Sequence, residues 1–278
     1  MIEIPTWFRW TFEFLWGILW GSFLNVCIYR LPREQSLVHP RSRCTRCHRQ
    51  IAWHDNIPLL SFALLRGACR HCHKPIRRRY PLVELLTGLM TIAVLERFGL
   101  TPIGAIDLAF VYGLIVVSFI DLEFQIIPDE ISVGGRGLGV LLSLLVPALH
   151  GTTSHVMAAG YAVLGVFVGG GLLYATGLVG DLIFRKESMG GGDIKLLAMA
   201  GSILGWKMVT LAFFLAPMLA LIPGLFVLLF KRSHVIPYGP FLSLALILAM
   251  FFGPAILQAS GVEESVSLLW GYYTGRVY

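Results

Sequence analysis

Residues 102–121 read PIGAIDLAFVYGLIVVSFID. This stretch is apolar almost throughout and carries only two charged side chains, Asp107 and Asp121. A helix needs about 20 such residues to cross the hydrocarbon core of a bilayer, so the stretch predicts a membrane helix over 102–120. Asp121 follows the apolar run directly. The same stretch therefore predicts the class of fold and a carboxylate at the edge of the membrane.

The composition of the whole chain agrees with this interpretation. Of its 278 residues, 56% are hydrophobic and only 14% are charged, whereas a soluble domain carries about 25% charged residues. Further apolar runs predict helices at 8–28, 81–98, 131–149, 156–179, 193–205, 208–230 and 239–258. The run at 193–205 is short for a complete span. We therefore expect an all-α polytopic membrane protein with six to eight transmembrane helices.

The basic residues predict how the chain crosses the membrane. Twelve of the 22 Lys and Arg residues lie between Arg30 and Arg79, and Lys and Arg favour cytoplasmic loops. If residues 29–80 are cytoplasmic, alternation of the spans places 18 basic residues inside and 4 outside. The N-terminus is then periplasmic. A basic cytoplasmic face also attracts anionic lipid, so the charge gives no reason to expect nucleic acid as a partner.

The polar stretch 29–80 carries four cysteines with the spacing of a metal site. They occur in RCTRCHRQ at 43–50 and CRHC at 69–72, and 21 residues separate the two pairs. Two C-x-x-C pairs suit one tetrahedral zinc ion. Rubredoxin-like iron and two disulfides are the alternatives, although a cytoplasmic location disfavours disulfides. About 50 residues form only a small core, so a structural metal would stabilise this insert. The predicted ligands are Cys44, Cys47, Cys69 and Cys72.

A second carboxylate opens another apolar run, in SMGGGDIKLLAM at 188–199. The predicted topology places Asp193 at the same membrane face as Asp121, on a different helix. Two apposed carboxylates share one proton, so that one can take a proton from water while the other polarises a carbonyl. Gly190, Gly191 and Gly192 carry no Cβ and are candidate substrate-binding residues, because they allow another backbone to approach closely.

Two other interpretations of these carboxylates stay open at this point. Asp193 after three glycines is also typical of a helix N-cap, and Asp129 after Pro128 has the same character. Carboxylates in membrane helices also relay protons in transporters. A proton-coupled transporter is therefore the alternative from another functional class, although the chain shows no inverted repeat of broken helices.

Several motifs together resemble the bacterial type IV prepilin peptidases and the related pseudopilin peptidases of type II secretion. The motifs are the two cysteine pairs, GSFLNVCIYRLP at 21–32, RRYPLVELLTG at 78–88, FIDLEFQIIPDEIS at 119–132 and MGGGDIKLLAM at 189–199. Residues 190–193 match the Gly-x-Gly-Asp signature of intramembrane aspartyl proteases. The resemblance covers roughly residues 8–258.

The resemblance implies a function for each part of the chain. Residues 1–28 would form the first transmembrane helix, residues 29–80 a cytoplasmic zinc-binding domain, and residues 81–278 a membrane-embedded peptidase domain. Asp121 and Asp193 would be the catalytic pair. The substrates would be prepilins or pseudopilins in the bacterial inner membrane, whose basic leader precedes an apolar helix and is cut after a glycine at the cytoplasmic face.

The resemblance also implies a second reaction, in which the new N-terminal amine is methylated with S-adenosylmethionine. A peptidase without this activity is the alternative. The sequence contains no glycine-rich dinucleotide-binding motif, and Glu84 is our candidate for binding the sulfonium or the substrate amine. Acidic residues at the same face are expected to attract a basic leader, namely Glu123, Asp129, Glu130, Asp181 and Glu187.

Overall fold

The computed structural model describes residues 5–185, 189–231 and 237–261, and within these ranges the protein is helical, with no strand. This confirms the predicted all-α fold. The helices are α1 (Thr6–Arg30), α2 (Leu60–Leu64), α3 (Arg79–Phe98), α4 (Pro102–Phe124), α5 (Asp129–Leu145), α6 (His155–Phe184), α7 (Gly191–Lys231) and α8 (Gly239–Ala259). Each predicted apolar run overlaps one of them or, for α7, one half.

Five of these helices, α1, α4, α6, α7 and α8, are long and apolar enough to cross a membrane. Helix α3 packs on α1 and α4, whereas α5 packs on α6 and α7. Helix α4 lies deepest in the bundle, and Val111, Leu114, Val117 and Ile120 on it are fully buried. The chain is therefore a multi-pass membrane protein in which the helix ending at Asp121 lies at the centre.

Helix α7 consists of two helices that meet at Gly205. This residue has φ 78° and ψ 169°, which is not helical and which glycine adopts without a steric penalty. Residues on the two sides contact different partners: Gly201 packs on Gly165 of α6, and Met208 packs on Gly253 of α8. The break confirms the separate apolar runs predicted at 193–205 and 208–230.

The lengths of the segments show that the chain reverses at Gly205. Residues 206–231 form a helix about 39 Å long, and Met208 at its start lies beside Gly253, about 21 Å along α8 from Gly239. The six steps of the backbone from residue 231 to residue 237 reach at most about 22 Å. If the helix continued straight on from residue 204, Lys231 would lie too far from the start of α8 for this short connection to join them. Residues 206–231 therefore run back towards the end of the bundle where α7 begins.

Helices α6 and α7 approach each other closely because both present small residues at their contact. A Cβ atom added to Gly165 would overlap the backbone of Gly201, and one added to Gly169 would overlap the carbonyl of Leu197. Small residues replace the hydrophobic driving force in membranes by allowing close van der Waals packing. These contacts hold the segment that carries Asp193 against a long membrane helix.

The predicted helix at 131–149 is wrong at its C-terminal end. Helix α5 ends at Leu145, and Pro147–His150 form a separate 3-10 turn. Proline has no backbone N–H to donate to the helix and its ring crowds the preceding turn, so Pro147 stops the helix before it begins the next element.

Candidate active site and metal centre

The two predicted catalytic carboxylates lie at one end of the bundle. Asp121 is in the last turn of α4 and is buried. Asp193 is in the first turn of α7 and is partly buried, and the Asp121 carboxylate is close enough to interact with it electrostatically. Two helices from separate parts of the sequence therefore bring two acidic groups together, as the topology of the apolar runs predicted.

The start of α8 completes this site, which sequence reasoning did not anticipate. The backbone N–H of Gly239 donates a hydrogen bond to Oδ2 of Asp121 at 2.9 Å. The neighbouring Tyr238 interacts electrostatically with Asp193, and burial together with this carboxylate raises the pKa of Tyr238 to about 12. The sequence YGP at 238–240 before an apolar run is typical of a helix start, but it does not indicate which carboxylate lies opposite.

The three glycines before Asp193 have different surroundings. A Cβ added to Gly190 would lie 3.1 Å from Oδ2 of Asp193, and one added to Gly192 would lie 2.9 Å from Cβ of Ile127. One added to Gly191 would meet no atom of the described residues within 4 Å. The close approach at Gly192 is made by the chain's own α4–α5 connection, whereas the Cβ position of Gly191, two residues before Asp193, is open.

The alternative of helix capping does not describe either aspartate. Helix α7 begins at Gly191, so Asp193 is inside its first turn. Asp129 likewise lies inside the first turn of α5, whose N-cap residue is Pro128 and which has no side-chain cap hydrogen bond. Both carboxylate oxygens of Asp129 instead accept from Nζ of Lys195, at 2.7 and 3.0 Å.

The acidic residues expected to attract a basic leader are partly neutralised by the chain itself. Oε2 of Glu123 lies 2.8 Å from Nη1 of Arg79 and 3.4 Å from Nη1 of Arg77. The contact with Arg79 is an ion pair without hydrogen-bond geometry. Asp129 pairs with Lys195 as described, and Glu187 lies outside the described residues. The ion pair with Arg79 also joins the start of α3 to the end of α4, next to Asp121.

The four predicted metal ligands form one cluster. The sulfur atoms of Cys44, Cys47, Cys69 and Cys72 all lie within 4.8 Å of one another, and those of Cys44 and Cys72 are 3.9 Å apart. Ligands at about 2.3 Å around a tetrahedral zinc ion are separated by about 3.8 Å, whereas a disulfide needs about 2.05 Å. All four cysteines are free thiols. The residues present therefore fit a tetrathiolate metal site.

Two similar turns present these sulfur atoms. In each, the residue before the C-x-x-C pair forms a short antiparallel bridge with the third residue after it, Arg43 with Gln50 and Ala68 with Pro75. Backbone N–H groups of Cys72 and His71 point to the sulfur of Cys69 and lower the pKa of this thiol to about 7. This turn thereby favours the thiolate of Cys69, the form that binds a metal, whereas burial and hydrogen bonds with the neighbouring thiols raise the pKa of Cys72 to about 11.

The histidines beside the cysteines are exposed. His48 and His73 occupy equivalent positions in the two turns, with φ of 58° and 53°, and His71 is also at the surface. The four-sulfur cluster is complete without them, in agreement with the interpretation of these histidines as solvated side chains. Zinc as the bound metal stays a prediction.

Glu84 lies where the insert meets the membrane helices. It is buried in α3, and its Oε2 accepts a hydrogen bond from the backbone N–H of Leu59 at 2.8 Å. Leu59 has φ 60° and ψ −47°, a backbone conformation that is rare for leucine. One turn away, Nδ2 of Asn25 on α1 donates to the carbonyl of Tyr80 at 3.0 Å. Glu84 therefore has a partner in the insert, and its role towards a methyl donor stays a prediction.

The described residues form two cavities whose linings bear on the binding of S-adenosylmethionine, because its sulfonium is cationic. One, of about 420 Å³, lies between α5 and α6 and is lined by Val133, Arg136, Gly137, Val140, Val163 and Val166. The other, of about 230 Å³, lies in the insert and is lined by Pro40, Arg41, Arg43, His48 and Gln50. Both contain arginine and neither contains an acidic side chain, so neither fits the sulfonium.

Comparisons with known proteins cover both halves of the chain. A sequence model of the bacterial peptidase A24 N-terminal domain matches residues 15–98, and one of the type IV leader peptidase family matches residues 108–225. No solved structure matches the chain.

Curated relatives carry the printed name prepilin leader peptidase/N-methyltransferase. The relative from Myxococcus xanthus is 41% identical over 218 residues, which span 78% of this chain and 63% of the relative. The one from Aeromonas hydrophila is 35% identical, covering 91% of this chain and 93% of the relative. The one from Legionella pneumophila is 32% identical, covering 93% and 96%.

Proposed function

Because the chain belongs to the type IV leader peptidase family, we propose that it is an intramembrane aspartyl endopeptidase that uses Asp121 and Asp193 to remove the basic leader of prepilins or pseudopilins. The observation that carries this proposal is the meeting of two carboxylates from α4 and α7 at one end of the bundle. Asp121 is buried and Asp193 is partly buried, and each lies within electrostatic range of the other, which supports a pair that shares one proton.

The proposed reaction follows from this sharing of one proton. The ionised carboxylate takes a proton from water, whose oxygen attacks the carbonyl carbon of the glycine at the cleavage site. The protonated carboxyl donates its proton to the carbonyl oxygen. As the tetrahedral intermediate collapses, one of its hydroxyls returns a proton to the second carboxylate, the C–N bond breaks, and the leaving amine takes up the proton that the first carboxylate received. No covalent bond to the enzyme forms at any step.

The proposed location is the bacterial inner membrane, with the insert and the dyad at the cytoplasmic face. The ion pair of Arg79 with Glu123 supports one common face, because it joins the end of the insert to the end of α4 that carries Asp121. An apolar substrate helix would stay in the lipid bilayer while its leader reaches this face. The dyad lies at a helix end rather than at the midplane, where a proton-coupled transporter binds its substrate.

We also propose the second activity in the relatives' names, methylation of the new N-terminal amine with S-adenosylmethionine as methyl donor. The donor supplies an electrophilic methyl group, and the amine released at the dyad is the nucleophile. Zinc bound by the four cysteines would hold the insert in shape against α3, where Glu84 and Leu59 meet.

The proposed function is tested by mass spectrometry of a purified prepilin incubated with the protein and S-adenosylmethionine. We expect a mass loss equal to the leader and a gain of one methyl group on the product. Asp121→Asn and Asp193→Asn should each reduce cleavage at least 100-fold while the protein keeps its fold, and Asp129→Asn is the matched control. Cleavage that survives in either dyad variant would remove that residue from the mechanism.

A further inference from the structure

The third element of the candidate active site is the start of α8. Its first residue, Gly239, donates the backbone N–H to Asp121, and it does so from a buried position. A Cβ on Gly239 would lie 2.8 Å from Oδ2, 3.0 Å from Cγ and 3.2 Å from Cβ of Asp121. Real side-chain atoms do not approach so closely, so only glycine allows this backbone to reach the carboxylate.

The two aspartates therefore have different surroundings. Asp121 accepts a hydrogen bond from a fixed backbone donor, and such a donor stabilises the ionised form of a carboxylate. Asp193 instead lies within electrostatic range of Tyr238, whose hydroxyl stays protonated at neutral pH. Pro240 follows directly and restricts the backbone in the first turn of α8. Proline suits this position because a backbone N–H there would have no partner within the helix.

We infer that the segment Tyr238–Pro240 is a positioning element of the catalytic site, in which the Gly239 amide keeps Asp121 as the carboxylate that activates water and leaves the shared proton on Asp193. This inference rests on the proposed aspartyl mechanism and specifies which of the two carboxylates acts as the general base. It also assigns a role in the reaction to a residue on α8, more than 110 positions from its partner.

The test is Gly239→Ala, assayed with the full-length protein and a prepilin. The added methyl group should displace the Asp121 carboxylate, so we expect kcat to fall about 10- to 100-fold while KM stays within about threefold. The acid limb of the pH profile of kcat should move to higher pH, because the ionised form of Asp121 loses its donor. Substitution of a residue with only a structural role would leave the acid limb of the pH profile where it is.

Matched controls separate strain in α8 from the proposed effect. Gly253→Ala places a methyl group on the same helix against the flexible side chain of Met208, and we expect near-normal kcat and an unchanged pH profile. If Gly239→Ala fails to fold, Tyr238→Phe serves as the second variant, and a fall in kcat of at least fivefold with unchanged KM is expected.

The outcomes distinguish this inference from the proposed function. If Asp121→Asn and Asp193→Asn abolish cleavage but Gly239→Ala and Tyr238→Phe cleave at the normal rate with the normal pH profile, the role of the α8 segment is overturned and the dyad stands. If the aspartate variants still cleave, the dyad itself is wrong.

Discussion

At the scale of single residues, the three glycines before Asp193 show that one motif can serve several purposes. Gly190 lies against the Asp193 carboxylate, Gly192 lies against Ile127, and Gly191 faces open space. Gly190 and Gly191 are both exposed, but only at Gly191 is the Cβ position clear of the described residues, so Gly191 is the glycine at which a larger side chain can project towards a substrate.

This difference leads to a prediction for Gly191→Leu. The Cβ position of Gly191 is clear of the described residues, so we expect the melting temperature to change by less than about 2 °C, whereas KM for a prepilin should rise at least fivefold. Gly192→Ala is the matched comparison, because its Cβ would lie 2.9 Å from Ile127 and should lower stability by about 1–3 kcal/mol. An unchanged KM in Gly191→Leu would remove this residue from the substrate-binding site.

The residues of the site differ in how well the sequence predicts them. The position of each aspartate at the end of an apolar run, combined with the alternation of spans, predicts that Asp121 and Asp193 meet. Gly239 cannot be identified in this way, because its contribution is a backbone N–H and such a donor has no residue-specific signature. Asp129 resembles a cap in the sequence, and only the packing of α5 beside α7 reveals its ion pair with Lys195.

At the scale of elements, the turn between α5 and α6 supports the reversal of α7. Nε2 of His150 lies 3.0 Å from Oγ of Ser143, which donates to the carbonyl of Ser202 at 3.0 Å. A Cβ on Gly205 would lie 3.3 Å from Nδ1 of the same histidine. Burial lowers the pKa of His150, although its hydrogen bond to Ser202 opposes this shift.

The sign of this pKa shift predicts how stability depends on pH. The unfolded chain binds a proton near pH 6.5, whereas folded His150 resists protonation, so the unfolded state gains protons first as the pH falls. The contribution of neutral His150 to the free energy of unfolding is complete above about pH 6.5 and declines as the pH falls below that value. We expect the melting temperature in detergent to fall between pH 7 and pH 5, and to fall less in His150→Gln. His155→Gln, at the exposed start of α6, should retain the wild-type dependence; an equal slope in His150→Gln would contradict the prediction.

The cysteine insert is the second element with a direct test. A domain of this size has little core of its own, so loss of its metal should unfold it. We expect about one zinc ion per wild-type chain by elemental mass spectrometry and almost none in Cys47→Ser. His73→Asn is the control, because His73 is exposed and asparagine tolerates its left-handed backbone. Iron in place of zinc, or disulfides in the purified protein, would support the alternatives instead.

At the scale of the whole molecule, the fold was largely predictable because the membrane requires a strong pattern. Every span must be an apolar helix, so the runs in the sequence predict the helices and even the break near Gly205. The sequence does not predict which helices are neighbours. That α4 lies at the centre, and that α8 reaches Asp121, depends on side-chain packing between segments with similar composition.

The orientation of the bundle in the membrane determines whether the dyad can meet a leader that has not yet been exported. This orientation is predicted from the distribution of basic residues. Leu100, which is 92% exposed, and the exposed Glu130 lie beyond opposite ends of α4. Because α4 spans the membrane, these two positions must lie on opposite sides. With 18 basic residues predicted inside and 4 outside, Leu100 should be periplasmic and Glu130 cytoplasmic.

Labelling of single-cysteine additions tests this orientation. In spheroplasts treated with a membrane-impermeant maleimide, Leu100→Cys should be modified immediately, whereas Glu130→Cys should be modified only after lysis; the unaltered chain gives the background from its own five cysteines. The reverse pattern would place the dyad on the periplasmic side, where it could not act on a leader before export. Modification of both variants in intact spheroplasts would contradict α4 as a span. The expected pattern would leave the leader and the carboxylate pair at the same face, as the proposed peptidase requires.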